Sequence, residues 1–416
     1  MSVTDDYRMR VVDGLTAVAA SDWNSLAAAA GGGQAQPFLR HEFLHGLEAA
    51  ACVGGGTGWL PRHLLLEDAE GRLRAAVPLY LKSHSYGEYV FDWAWADAYR
   101  RHGRRYYPKL LSAVPFTPVT GPRLLAADAP AREAAARALL KLAADSGLSS
   151  LHVLFPTETE ATLLAGQGTM QRRGVQFHWR NDGWSDFEGF LAALSQPKRK
   201  KIRAERRKVA SAGLSIERLA GDAIGPQDWA FFVRCYENTY AEHGATPYLN
   251  LAFFERLGAL MPGHLVLVIA RDGARPIACS LLVVDEARVY GRYWGALEHV
   301  PCLHFELCYY QAIELAIERG LAVIEGGAQG EHKMARGFEP VAIRSAHWLA
   351  EPAFADAVER FLDREGGMVG AWLDELEERS PFRGERSPCQ PKSSSSREER
   401  PAARARQGEG DPPLSR

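Results

Sequence analysis

The stretch 288–340, RVYGRYWGALEHVPCLHFELCYYQAIELAIERGLAVIEGGAQGEHKMARGFEP, decides how the rest of the chain is read. Val289, Gly291 and Tyr293 alternate with Tyr290, Arg292 and Trp294, the period of a strand whose two faces meet different surroundings. Helical spacing follows over 303–319. Phe305, Tyr309, Ala312, Ile313 and Ala316 form an apolar stripe, and Glu306, Tyr310, Glu314 and Glu318 a polar row. Gly320 ends that helix. Residues 321–324 are a short apolar run of the kind buried on both faces of a parallel sheet, and it stops at Glu325, Gly326 and Gly327. Open α/β sheets hold ligands outside the carboxyl ends of their strands. Glu325 and the loop carrying Gln329, Glu331, His332, Lys333 and Arg336 therefore stand where a site is expected. Buried Glu is rare without a partner, and the loop gathers acid, base and cation within a few residues. The alternative is a Glu325 that caps nearby backbone beneath a solvated loop.

A chain of 416 residues is too long for one ordinary core and is expected to form two domains with additions. A hydrophobic share of 46% supplies both cores. Lys and Arg number 49 against 51 Asp and Glu, so no global field recruits nucleic acid, although charge is clustered locally. No apolar run approaches a membrane span, and MSVTDDYRMR lacks a signal-peptide pattern, which predicts a cytoplasmic protein. The six cysteines contain no CxxC pair and read as reduced thiols. His299, Cys302, His304 and Cys308 are metal-ligand types, yet no second ligand pair follows, so no metal site is predicted.

Residues 1–36, Ala-rich and closing on Gly31, Gly32 and Gly33, read as a flexible N-terminus. The first unit, 37–183, carries a helix, a hairpin turning at Glu70-Gly71, an Ala-rich helix and further strands. The second, 214–350, repeats the plan with a hairpin at Asp272-Gly273, roughly 200 residues later. Each closes on a His-Trp strand: Gln176-Phe177-His178-Trp179 and Ser345-Ala346-His347-Trp348. A helix over 351–379 and a polar, proline-rich tail over 380–416, expected to be disordered, complete the chain. In the first unit, FDWAWADAYRRHGRRYYPKLLSAVPFTPVTGPRLL is dense in aromatic and arginine side chains. It suits either a packed subdomain with snorkelling arginines or a cleft gripping an acidic or sugar-like ligand through Trp93, Trp95, Arg100, Arg101 and Tyr106.

Between the units, 184–213 reads as a basic helical connector. Lys198, Arg199, Lys200, Lys201, Arg203, Arg206, Arg207 and Lys208 stand against a single Glu205. Cations this dense repel, so either acids of the protein or a polyanion must offset them. Ile202 and Val209 leave only a narrow apolar seam, so the basic surface is expected to face outward to a phosphate-bearing partner. A nucleotide-sugar diphosphate, coenzyme A or a tRNA backbone would serve; sequence-specific DNA reading is not indicated.

The basic helix KRKKIRAERRKVASAG, with FDWAWADAY, QFHWRN, YGRYWG, LHFELCYYQAIE and GAQGEHKMARGFEP, resembles the FemAB-like N-acyltransferase and peptidoglycan biosynthesis family. That family lies near the Fem-type aminoacyl transferases of the GNAT superfamily, and the likeness runs over about 37–349. It implies an α/β fold with a mixed sheet, built as tandem duplicated GNAT-like domains. In each such fold two parallel strands splay, here 289–294 and 321–325, and a thioester or aminoacyl ester slots between them. Freeing a lysine-like amine of its proton at neutral pH costs about 4 to 5 kcal/mol. Glu325, Glu331 and His332 are the candidate bases. N-H groups near Trp294 and Gly295 would hold the oxyanion, and Tyr293 or Tyr309 would protonate the leaving group. Gln329, Lys333, Arg336, Trp93, Trp95, Arg100, Lys198, Arg199, Lys201, Arg203 and Arg206 are expected to bind substrate.

Ahead of the helix stands EHVPCLHFE instead of a glycine-rich phosphate loop. Pro301 has no N-H and Glu306 would repel phosphate, which moves weight from acyl-CoA toward aminoacyl-tRNA as co-substrate. No tightly bound cofactor is implied. The implied function is acyl or aminoacyl transfer to an amine, such as that of a muropeptide precursor. The alternatives are a tRNA-dependent Fem-type ligase and a non-catalytic protein that recognises peptidoglycan or a nucleotide.

Overall fold

Runs of β-branched and aromatic residues with two-residue alternation build one long mixed sheet. A computed structural model describes residues 2–4, 7–327 and 330–383. The first half contributes β1 (Trp59–Pro61), β2 (Leu79–Lys82), β3 (Lys109–Ser112), β4 (Ser150–Leu154) and β5 (Met170–Arg180). The second contributes β6 (Ser215–Ala220), β7 (Leu265–Asp272), β8 (Arg275–Val284), β9 (Arg288–Ala296), β10 (Val323–Glu325) and β11 (Glu339–Leu349). Their order across the sheet is β6-β7-β8-β9-β10-β5-β11-β4-β3-β2-β1.

That order corrects the predicted boundary at 183. β5 pairs with β10 and β11, while β11 pairs with β5 and β4. Each half lends its closing His-Trp strand to the other, so the halves share a continuous ladder. Periodicity explains why both strands are buried centrally: Gln176 and His178 face one side, Phe177 and Trp179 the other, and all four are buried.

Six helices position the rest: α1 (Trp93–Arg101), α2 (Ala129–Asp145), α3 (Gln196–Ser211), α4 (Pro226–Glu242), α5 and α6 (Pro352–Glu378). α5 runs through Leu303–Phe305, a π-helical turn Glu306–Tyr310, and Gln311–Glu318. α5 and Ile202 and Val209 of α3 pack on one face of β7 to β10. The other face meets residues of both halves, including Phe38, Phe116, Tyr236, Phe254 and Tyr290. This second core is where the halves join.

The predicted flexible N-terminus is also corrected. Tyr7–Val12 pairs with His63–Glu67 in a separate five-stranded sheet, and the helix Ala20–Ala30 buries Trp23, Leu26 and Ala27. Those three lie at i, i+3, i+4, a stripe hidden within alanine-rich composition. Trp23 Nε1 donates to Leu39 O at 2.8 Å, tying the segment down. At the other end Phe382 is buried, and residues 384–416, predicted to be disordered, lie outside the described residues. Among the described residues no helix is long and apolar enough to cross a membrane.

Candidate active site

β9 and β10 run in parallel register only at Arg288↔Val323, Val289↔Ile324 and Tyr290↔Glu325. β10 then turns away at Gly326 and Gly327, while β9 continues along β8. The β8 register passes from Leu281↔Tyr293 to Leu282↔Gly291, so Arg292 is an extra, bulged residue that bends β9 at this point. The parting strands enclose a cavity of about 110 Å³ lined by Arg292, Tyr293, Trp294, His304, Cys308 and Tyr309.

Leu297 N-H donates to Ile277 O. Alternation along the antiparallel ladder therefore turns the N-H groups of Gly295 and Tyr293 toward β8 and that of Trp294 toward the opening. Of the two expected oxyanion donors, Trp294 faces the cavity and Gly295 does not. Gly295 serves packing instead: a Cβ there would lie 2.0 Å from Cys235 O of α4.

On the α5 face a buried cation stands behind Gly326 of the cavity lining. Lys333 is 2% exposed, its Nζ donates to Gly327 O at 3.1 Å, and burial lowers its pKa to about 8. Its stem crosses Gly326 so closely that a Cβ there would sit 3.3 Å from Cδ and Cε. Tyr309 OH meets His332 Nε2 at 3.1 Å. Burial and the neighbouring Lys333, Arg336 and Lys201 cations lower the pKa of His332. Burial, with His332, Arg336 and Lys333 nearby, lowers His304 to about 4. Burial pushes the Cys308 thiol up, so it is no ready nucleophile.

On the opposite face stands Glu325, 3% exposed, beside its ladder partners Tyr290 and His178. Its Oε1 accepts from Arg288 Nη1 at 2.5 Å, and its buried Oε2 has no partner among the described residues. Burial raises its pKa against the opposing pull of Arg288. The carboxylate is thus an ion-paired group with one free oxygen, and it caps no backbone among the described residues.

Several expected site residues lie elsewhere. Glu331 is exposed and pairs with Arg379 at 3.3 Å, outside the cavity, so it is no base for this site. Arg336 is buried against Glu205 at 2.7 Å and 3.4 Å above the Phe305 ring, a bracket between α3 and the turn Glu331–Arg336. Gln329 lies outside the described residues. Tyr293 packs on Tyr236 at 5.3 Å, on the face away from Tyr309.

Much of the connector's charge is offset by protein acids. Arg206 grips Glu306 through two bonds, at 3.1 and 3.0 Å, and reaches Glu314 at 2.6 Å, while Arg203 pairs with Glu188. Glu306 is thereby neutralised and does not oppose phosphate as expected. Arg199 bonds Ala192 O at 3.5 Å, Lys198 is half-buried, and Lys200, Lys201, Arg207 and Lys208 are exposed. The aromatic stretch divides similarly. Trp95 is buried edge-on to His347 at 5.0 Å, Tyr106 is buried, and Arg100 and Arg101 both pair with Asp97, which leaves Trp93 exposed. The predicted ligand cleft through Trp95 and Arg100 does not form, because α1 turns these residues into the core or onto their own helix. Sequence reasoning weighed His304 and Cys308 only as metal ligands and Arg292 only as part of a strand. His304 and Cys308 sit at i, i+4 on one helix face, a visible signal, whereas a bulge leaves none.

Comparison with known proteins bears on the family and the fold. A family model for FemAB-like proteins, described as peptidoglycan biosynthesis and recognition, matches residues 14–384. No curated protein matches the chain in sequence. Among solved structures, FemX aligns with a TM-score of 0.50 at 12% identity, over 82% of this chain and 98% of its own. The C-terminal domain of a putative lysylphosphatidylglycerol synthetase from Agrobacterium fabrum also gives 0.50, at 10% identity, over 82% and 95%. A tandem GNAT protein from the clavulanic acid biosynthesis pathway gives 0.45 at 14% identity, over 83% and 99%. Likeness at such identities is one of fold. With the family match covering nearly all of the described residues, the chain belongs to the FemAB-like family of peptidoglycan biosynthesis and recognition.

Proposed function

We propose that the opening between β9 and β10 is an N-acyltransfer site that passes an acyl or aminoacyl group to the amine of a cell-wall precursor. One observation carries this reading: the cavity where β9 and β10 part has Tyr309 in its lining and the buried Lys333 ammonium behind Gly326, and across the sheet from them stands a buried carboxylate with a partnerless oxygen. The donor enters on the α5 face and the amine on the Glu325 face. Nitrogen attacks the carbonyl carbon while Glu325 Oε2 takes the amine proton. The oxyanion accepts from Trp294 N-H and from the Lys333 ammonium, which act strongly in a site of low dielectric. The bond from carbonyl carbon to the leaving oxygen or sulfur then breaks, and Tyr309, backed by His332, donates the proton that the leaving group needs.

The donor is phosphate-bearing, and the start of α5 favours an aminoacyl-tRNA or another acyl carrier over coenzyme A. The N-H groups of Leu303, Phe305 and Glu306 are taken by Val300 O and Cys302 O, and Pro301 has none, so no amide cradle awaits a pyrophosphate. The exposed Lys200, Lys201, Arg207 and Lys208 of α3 would meet the phosphates instead.

The test is a transfer assay of acyl-CoAs and an aminoacylated tRNA pool against muropeptide amines, read by mass spectrometry, with thermal shift in parallel. A ligand at 100 times its Kd adds about 2.7 kcal/mol of stability, enough to detect. Amide product from aminoacyl-tRNA, lost in Lys333→Met, is the expected result. Thermal stabilisation by muropeptide with no amide formed from any donor would replace transfer with recognition.

A further inference from the structure

One arginine of the opening lacks the acid that its neighbours have. Arg288 pairs with Glu325, Arg206 with Glu306 and Arg336 with Glu205. Arg292, half-buried in the cavity lining, pairs with no acid among the described residues. Its Nη2 donates to Phe116 O at 2.9 Å, and its buried Nε has no partner among them. A cation held partly out of water without a counter-charge is costly to keep, and it is available to an anion that arrives with a substrate.

Arg292 and Glu325 stand on the same face of the sheet. Tyr290 and Glu325 are ladder partners, Phe38 packs edge-on to Tyr290 at 5.0 Å, and the Arg292 guanidinium lies over that Phe38 ring at 5.6 Å. One strand spacing and two residues separate Arg292 from Glu325, roughly 8 Å between Cα atoms. Yet the two charges do not satisfy each other. Glu325 uses Oε1 on Arg288, and its buried Oε2 has no partner among the described residues. A second free acceptor lies beside Tyr290. Gln36 Nε2 donates to Thr120 O and to Tyr290 OH at 3.0 and 3.3 Å, which leaves Gln36 Oε1 buried and partnerless among the described residues. Gly121 makes room for that oxygen, since a Cβ there would stand 2.5 Å from it.

The unsatisfied groups therefore have a polarity: a cationic donor at Arg292 and acceptor oxygens at Glu325 and Gln36. A lone anion would suit the first and be repelled by Glu325. A lone alkylammonium would suit the second and be repelled by Arg292. A zwitterion suits both. The cavity that Arg292 lines measures about 110 Å³, room for only a few waters, so both charges of such a ligand must sit on one compact unit. Phosphates of the donor do not supply the anion, because α3, which carries the exposed cations, packs on the other face of the sheet.

We infer that the acceptor presents its amine beside a carboxylate on one α-amino acid unit, the carboxylate on Arg292 and the ammonium on Glu325 Oε2 and Gln36 Oε1. Arg292 is then the residue that separates an amino acid centre from a simple alkylamine. Acylation of that amine rests on the transfer reading above; recognition of the zwitterion does not.

The experiment is a saturation-transfer NMR titration of the purified protein with alanine of either hand and with alaninamide, no acyl donor being present. Alaninamide keeps the ammonium and loses the carboxylate charge. Alanine is expected to bind at millimolar concentration and alaninamide about tenfold or more weakly, because a charge-assisted contact is lost. Arg292→Gln should weaken alanine to the level of alaninamide and leave alaninamide no weaker, a loss of preference that misfolding does not mimic. Arg292→Lys, which keeps the charge without the planar fork, should fall between. Equal binding of alanine and alaninamide to the wild type, a preference that survives Arg292→Gln, or no binding of alanine overturns the inference. A carboxylate preference that depends on Arg292, with no amide formed from any donor, upholds it and overturns the transfer reading alone.

Discussion

Past Ser112 in the first half and past Tyr290 in the second, the chain leaves a parallel strand pair in opposite ways. β3 and β4 register at Leu110↔Leu151, Leu111↔His152 and Ser112↔Val153, three pairs like those of β9 and β10, so Val153 stands where Glu325 does. In the second half the strands part around a cavity. In the first, residues 113–124 fold back and Arg123 fills the gap. Its Nε donates to Leu154 O at 2.9 Å, Nη1 to Gly121 O and Pro122 O at 3.0 and 3.1 Å, and Nη2 to Val119 O at 2.6 Å. Glu160 accepts from the N-H groups of Arg123 and Leu124, and Gly121 N-H closes on Phe155 O. Carbonyls that could line an opening are used up inside the protein. The duplicated scaffold persists in both halves, while the segment that follows the strand pair decides whether a site exists.

The charges divide the same way. In the first half Lys109 is buried against Ser85, Glu88 and Asp92 at 2.9, 2.8 and 2.5 Å, a closed set of partners. In the second, Lys333 is equally buried but meets only a carbonyl, Gly327 O, among the described residues. Paired burial stabilises a fold, and unpaired burial leaves a charge available to a ligand.

Substitutions at the two arginine- and lysine-filled gaps should therefore give opposite phenotypes. Arg123→Met strands several carbonyls and removes the buried positive charge near Glu160, so it should cost about 3 to 5 kcal/mol in urea denaturation while the folded fraction keeps its turnover. A turnover loss exceeding the folded fraction would place the first half in the chemistry. Lys333→Met should lower transfer about 100- to 1000-fold and leave the melting temperature equal or higher, since it removes a buried charge.

The pH profile sharpens the same contrast. Lys333 has a folded pKa of about 8, below its ordinary 10.5, so the ammonium is present below pH 8 and lost above it. Transfer should fall as pH rises through about 8, and Lys333→Arg should move that fall to higher pH. The unfolded chain holds more protons between the two values, so this residue's contribution to stability should improve from pH 8 toward 10.5, a trend Lys333→Met should abolish. Tyr309→Phe should cost about tenfold in turnover, with little change in acceptor KM, if it supplies the leaving-group proton. Glu331→Gln should stay within about twofold of wild type, because its carboxylate is exposed and paired with Arg379.

What the sequence by itself determined was local. Two-residue alternation over 289–294, the helical stripe from Phe305 to Ala316 and the short run ending at Glu325 located the strand, helix and strand that carry the cavity. Such spacing reports a residue's neighbours within one element, so it also revealed the hairpins and the duplication. The exchange of β5 and β11, the Arg206–Glu306 pair, the bulge at Arg292 and the displacement of Glu331 were decided only by the tertiary structure. Each depends on which distant segments meet, and a charged or aromatic residue has the same local pattern whether its partner is protein, solvent or ligand.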